Sequence, residues 1–159
     1  MNIFALSYVP SECARWHNDK HIVKMPLETA QMLCTNLNKL NVQTPYKSCH
    51  INHPCTLWAG KSRSNFLWLC HLGLALCDEY TFRYQKDHKC KDVIKHCLLN
   101  NLSIPKGEFS PFAQAMPDEF KNDNSITAYR NYYQFAKSHL ATWKNREVPF
   151  WYNVISAAI

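Results

Sequence analysis

Apolar residues recur along most of this chain at the three-to-four-residue spacing of a helical face rather than the alternation of a strand. Leu27, Ala30, Leu33, Leu37 and Leu40 fall on one such face. Phe66, Leu69, Leu72, Leu76 and Tyr80 make a second, within a segment 65–84 that reads as a central core helix capped by Ser64. Asp87 opens a shorter helix that ends near Asn100, with Val93, Cys97 and Leu98 turned inward and Lys91 and Lys95 outward. Ala128, Tyr132, Phe135, Ala136, His139 and Trp143 define a last helix, started by Asp123 or Ser125 and running to about Trp143. Near the start, residues 2–8 form a short apolar run, a strand or an extended arm, which Pro10 stops. Ser11 is placed to cap a helix over 12–24. Pro26 kinks or breaks that helix, because proline lacks a backbone donor and clashes with the preceding turn. A further helix starts near Thr56, weakened by Gly60 and the polar run that follows.

Between these elements lie two long connections. Residues 41–54 are polar. Residues 101–124 carry Pro105, Gly107, Pro111 and Pro117, yet the run FSPFAQAMPDEF is too apolar for a solvated linker. It predicts an ordered loop with a short helix, packed over the core. Only three glycines occur in 159 residues, which disfavours turn-rich β-sandwiches and Gly-rich phosphate loops. The expected fold is therefore all-α: a compact single-domain helical bundle over 1–159 with long ordered loops. A hydrophobic content of 47% and an aromatic content of 13% argue for a packed core rather than disorder. No apolar run reaches membrane-spanning length; the longest, 66–77, is interrupted by His71. The start of the chain lacks the basic and apolar regions of a signal peptide, so the expected location is the cytoplasm. The eight cysteines sit mostly inside helical patterns and read as reduced, small hydrophobes. Arg83, Lys86 and Lys89 gather where the core helix ends, as cations do at helix C-termini.

Chemistry concentrates in residues 11–28, SECARWHNDKHIVKMPLE. On a helix, His17, His21, Lys24 and Glu28 fall at steps of four, three and four, on one stripe with Lys20 beside it. The candidate catalytic residues are Lys20, Lys24, His17 and Glu28. Crowded ammonium groups repel one another, which lowers the pKa of one. The net charge of +6 is compatible with DNA or a nucleotide as partner. Candidate binding residues are His21, His53, Gln114, Arg130, Tyr133, Arg146, Trp151 and Tyr152, since aromatics beside cations suit unstacked bases. His50 or His53 could fold back on the lysine stripe as an acid or base. No cofactor and no metal is expected: Cys49, His50, His53 and Cys55 crowd into seven residues, whereas zinc ligands come in separated pairs. His17 and His21, at i and i+4, have lysine neighbours that would repel a cation. Nothing in the sequence specifies an oligomeric state.

Two stretches resemble the phage pyrimidine-dimer DNA glycosylase (endonuclease V) family. One is Ser11-Glu12-Cys13-Ala14-Arg15-Trp16-His17, followed nine residues later by Pro26; the other is Trp151-Tyr152, preceded by Arg146 and Pro149. The resemblance implies a small helical fold, DNA binding and base flipping. It also implies chemistry in which an N-terminal amine attacks the sugar C1′ and forms a Schiff base, with a glutamate as acid/base partner. His17 matches the family's histidine. The position of the family's glutamate is held here by Lys24, the arginines that follow the histidine are absent, and the N-terminus is one residue longer. The resemblance thus points to a glycosylase/lyase using the N-terminal amine or a lysine, Lys20 or Lys24, as the amine, with Glu28 or Asp19 as the acid/base group. Two other functions fit the same residues: a nucleotide-binding protein that sequesters or cleaves a small or cyclic nucleotide, and a non-catalytic helical interaction protein whose charged stripe is merely solvated.

Overall fold

The chain enters the molecule as an extended arm. In the computed structural model, which describes residues 1–152, Asn2 to Ser7 are all buried. The arm forms no sheet; among the described residues there is no strand. Pro10 starts helix α1 (Pro10–Trp16) instead of ending what precedes it. Proline suits a first helical position, where its missing N–H would have no partner anyway.

The single helix expected over 12–24 is two helices. His17 and Asn18 are extended, and α2 (Asp19–Lys39) begins after them. The break has a local cause. Asn18 Oδ1 accepts the His21 N–H at 2.9 Å, a side-chain cap that competes with continuation of the α1 ladder. α2 then continues unbroken through Pro26 for 21 residues, its inner face holding Ile22, Met25, Ala30, Leu33 and Leu37. Tertiary packing on both sides of Pro26 outweighs the local penalty.

His53 caps α3 (Pro54–Lys61), again with proline at the first position. Ser62, not Ser64, caps α4 (Arg63–Tyr84) by accepting the Asn65 N–H; Ser64 donates to the Gly107 carbonyl. α4 is the central helix expected, packed against α1, α2, α3 and α5 (Lys91–Leu99). Cys90 rather than Asp87 stands at the start of α5. α6 (Ser125–Ala136) is capped by Asn124 and stops seven residues short of Trp143. Its buried face carries Ile126, Ala128, Tyr129 and Tyr133, whereas Phe135 and His139 are exposed. The chain then turns back through a 3-10 turn (Ser138–Leu140), and Trp143 Nε1 donates to the Trp16 carbonyl at 2.8 Å.

The 101–124 connection covers the core as expected, with 3-10 turns at Asn101–Ser103 and Asp118–Phe120 and with Ile104 and Phe112 buried. All eight cysteines are free and all but Cys49 are buried. Among the described residues, no helix is long and apolar enough to cross a membrane.

One ion cluster ties the ends of this arrangement together. The fully buried Arg83 bonds Glu79 at 2.9 Å, Asp19 at 3.0 Å and the Arg15 carbonyl at 2.9 Å. Arg146, from the C-terminal tail, bonds both oxygens of Glu79. Burial alone would push the Glu79 carboxyl up, but the hydrogen bonds from Arg146 and Arg83 hold it below its ordinary range.

Candidate active site

The buried arm ends against α2. The α-ammonium of Met1 lies 3.2 Å from Oε1 of Glu28, whose other oxygen is 3.7 Å from Lys24 Nζ. Asn2 sets this register. Its Nδ2 donates to the Ala115 carbonyl, and its Oδ1 accepts the Ile3 N–H and faces the Tyr129 hydroxyl at 2.9 Å. That hydroxyl also sits 2.7 Å from the Ala113 carbonyl and accepts the Ala115 N–H. The amine is thus delivered by a hydrogen-bonded clamp built from the arm, the 113–115 loop and α6.

Around the Met1–Glu28 pair opens a cleft of about 350 Å³. Lys24, His21, Phe4, His53, Tyr132 and Lys137 line it, with Tyr132 stacked on Phe4. Glu28 is only 7% exposed, so its carboxylate is shielded while the Lys24 ammonium reaches solvent.

The two imidazoles on this cleft have assignable protons. Tyr133 Oη accepts the Asn18 N–H at 3.2 Å and lies 2.6 Å from His21 Nδ1, so its own proton goes to that nitrogen. His21 therefore carries its hydrogen on Nε2, for which no hydrogen-bond partner is found among the described residues; the ring borders the cleft. Its ring stacks on Phe4 with centroids 4.2 Å apart. Burial, reinforced by His17 and the nearby lysines, lowers its pKa to about 2, so it is a neutral donor at any ordinary pH. His53 Nδ1 accepts the Cys55 N–H, leaving Nε2 to carry the proton when the ring is neutral. Burial, the Met1 ammonium and His50 push this imidazole below its usual range, against the pull of Glu28.

The expected stripe is thus present in part. His21, Lys24 and Glu28 share one face of α2 and line the cleft, and Lys20 lies just beyond, on an adjoining hollow. His17 is elsewhere. It is fully buried between the helices, its Nδ1 donates to the Cys13 carbonyl at 2.7 Å, and burial lowers its pKa to about 4.

Several expected binding residues are engaged in the fold. Tyr133 is buried beneath His21, and Trp151 is buried against Trp16 and Tyr133. Arg130 donates to the Leu6 carbonyl and lies over the rings of Trp16, Phe150 and Trp151. Arg146 is held by Glu79 and stacks on Phe82 at 3.7 Å. Tyr152 packs on Trp143, and Gln114 braces its loop through Asn122. None of these six lines the Met1–Glu28 cleft. Cys49, His50, His53 and Cys55 do not converge: Cys49 is bonded through its backbone to Thr35, His53 caps α3 and Cys55 points at Asn2. Among the described residues no group of three or more metal-ligating side chains is assembled.

Phe4, Tyr132 and Lys137 are cleft residues that the sequence does not announce. Phe4 reads as core, Tyr132 comes from within α6, and Lys137 stands at the residue where α6 stops.

A family model described as pyrimidine dimer DNA glycosylase matches residues 1–92, more than half of the chain. The matched span contains the arm, α1 to α4, and both Met1 and Glu28. No curated protein and no solved structure matches the chain.

Proposed function

The chain belongs to the pyrimidine dimer DNA glycosylase family, and from that premise we propose that it is a DNA base-excision enzyme whose reacting pair is the Met1 α-amine and Glu28. The observation that carries this reading is the 3.2 Å contact between these two groups at the floor of a cleft.

Two of the departures from the family pattern shift the reacting groups in a related way. The carboxylate stands at Glu28, four residues after the position held by Lys24, so it is displaced along the same helical face by about 6 Å. An arm one residue longer extends the reach of the amine by roughly 3.5 Å. Two amines contact Glu28, and their chemistry differs. As a class, α-amines release their proton about two to three pH units below lysine ε-amines, so more of an α-amine carries a free lone pair at neutral pH. The buried arm also holds the α-amine fixed, whereas Lys24 is 71% exposed.

In the proposed reaction Glu28 takes a proton from the ammonium. The freed lone pair attacks C1′ as the bond to the base breaks; the base leaves with the electron pair and takes up the second proton of the nitrogen, whose restored lone pair forms the C=N bond in the next step. The protonated Glu28 then returns its proton to the sugar ring oxygen as the ring opens, giving a Schiff base between C1′ and the amine. In this reading the same carboxylate, again ionised, removes a C2′ proton in strand cleavage.

The test is borohydride trapping on DNA carrying an abasic site, followed by peptide mapping. The expected adduct is on residue 1. Glu28→Gln is expected to slow trapping by about 10²–10⁴, while Lys24→Ala retains the adduct. An adduct on Lys24 would transfer the nucleophile to that lysine; no adduct on any damaged or abasic duplex sinks the reading.

A further inference from the structure

The Met1–Glu28 cleft does not end at Lys24. A second hollow of about 550 Å³ adjoins it, and His21, Lys24 and Lys137 border both, so the two are lobes of one depression. The second lobe adds Lys20 and Tyr84. Its charge is one-sided. The one carboxylate on its wall, Asp19, is already committed: Oδ1 is 3.0 Å from Arg83 Nη1, and both oxygens accept the Lys144 N–H, at 2.8 and 3.1 Å. Among the described residues neither Lys20 nor Lys137 has a carboxylate within ion-pair distance. Lys137 Nζ lies 5.1 Å from the centre of the Tyr132 ring, at the first lobe, and Lys144 Nζ lies 5.1 Å from that of Tyr84, at the second. Into the wall shared by the lobes His21 sets a neutral Nε2–H donor fixed by the Tyr133 hydroxyl.

Ammonium groups gathered around a hollow repel one another; Glu28 relieves Lys24, whereas among the described residues no carboxylate relieves Lys20 or Lys137. Together with a fixed neutral N–H donor they are complementary to a tetrahedral oxyanion. We infer that the second lobe seats a DNA phosphodiester adjacent to the sugar that reacts in the first, with Lys20 and Lys137 as its charged contacts and His21 as a neutral hydrogen-bond donor. This rests on the base-excision reading, which makes DNA the substrate. It assigns positioning to residues outside the amine–carboxylate pair and moves strand recognition away from Arg130, Arg146 and Trp151, which hold the fold.

The experiment is equilibrium binding of a duplex carrying an uncleavable abasic analogue, measured across a series of KCl concentrations. Each phosphate contact contributes about 0.9 to the slope of log K against log salt. Lys20→Ala and Lys137→Ala should each weaken binding about tenfold at low salt and flatten the slope by about one; Lys→Arg at either position should restore both. Lys95→Ala, on the exposed side of α5 and lining neither lobe, should change nothing. An uncharged methylphosphonate beside the abasic site should weaken wild-type binding and add no further loss in the Lys20→Ala/Lys137→Ala double variant. Unchanged affinity and slope in both alanine variants overturn the phosphate seat. So does a free mononucleotide that displaces the duplex at equal concentration, which would make the lobe a small-molecule site. Borohydride trapping, run in parallel, separates the two failures. An adduct with slopes unmoved rejects the seat alone; lysine-dependent slopes with no adduct reject base excision alone.

Discussion

His17 and His21 show how much a residue's surroundings override its type. Both are titratable groups on one predicted stripe, and both are neutral in the fold, with pKa values lowered to about 4 and about 2, in each case chiefly by burial. The consequence for stability has a definite sign. Below the ordinary histidine pKa of about 6.5 the unfolded chain takes up protons that the folded chain refuses, so stability falls as pH drops. Each imidazole costs up to about 2 kcal/mol between pH 7 and pH 5. Urea unfolding at these two pH values is expected to show that loss, and His21→Gln should remove roughly half of it. Equal stability at both values would mean that the imidazoles are not buried as described. Glu79 adds to the acid sensitivity: its lowered pKa gives stability that is present above the ordinary carboxylate range and lost as pH falls through it.

At the scale of elements, the break between α1 and α2 decides what the first helix can do. A continuous helix would keep His17 on the stripe with His21. The Asn18 cap instead turns His17 into the core and starts α2 so that His21, Lys24 and Glu28 face the cleft. α2 also has to lie close to α3. A Cβ on Gly60 would overlap the Asn36 side chain, whose amide donates to the Met32 and Thr56 carbonyls at 2.9 Å each. Gly60→Ala is therefore expected to destabilise the protein by about 1–2 kcal/mol. It gains about 1 kcal/mol of helix propensity and loses more by pushing a buried amide off its partners. A rise in thermal midpoint in calorimetry would show that α2 and α3 are not in this contact.

For the molecule as a whole, the unusual feature is a buried arm, Asn2 to Ser7, that brings the Met1 amine to the cleft. The arm runs beneath α2 and α6, and the Asn2–Tyr129–Ala115 clamp places the amine beside a carboxylate two helices away in sequence. Two extra residues ahead of Met1 are expected to leave helical content and melting temperature nearly unchanged, because Asn2 onwards keeps its contacts. The borohydride adduct should vanish, because the amine is moved out of reach of Glu28. An extended protein that still traps abasic DNA would exclude the α-amine and favour Lys24.

Periodicity determined that the protein is helical and that α4 is central, because buried faces repeat at 3.6 residues whatever packs against them, and the apolar content of 101–124 marked it as an ordered cover. The spacing of Lys24 and Glu28 on one face was legible for the same reason. Helix ends were less so. A cap is a contest between one side chain and the next turn, and Asn18, Ser62 and Asn124 won it where Ser11, Ser64 and Asp123 were equally plausible by type. Tertiary structure alone decided the rest. It set the Met1 amine against Glu28, brought Lys137 into the cleft and turned Arg130, Tyr133, Arg146 and Trp151 to structural contacts. Those outcomes depend on contacts between residues far apart along the chain, which the local spacing of residue types does not encode.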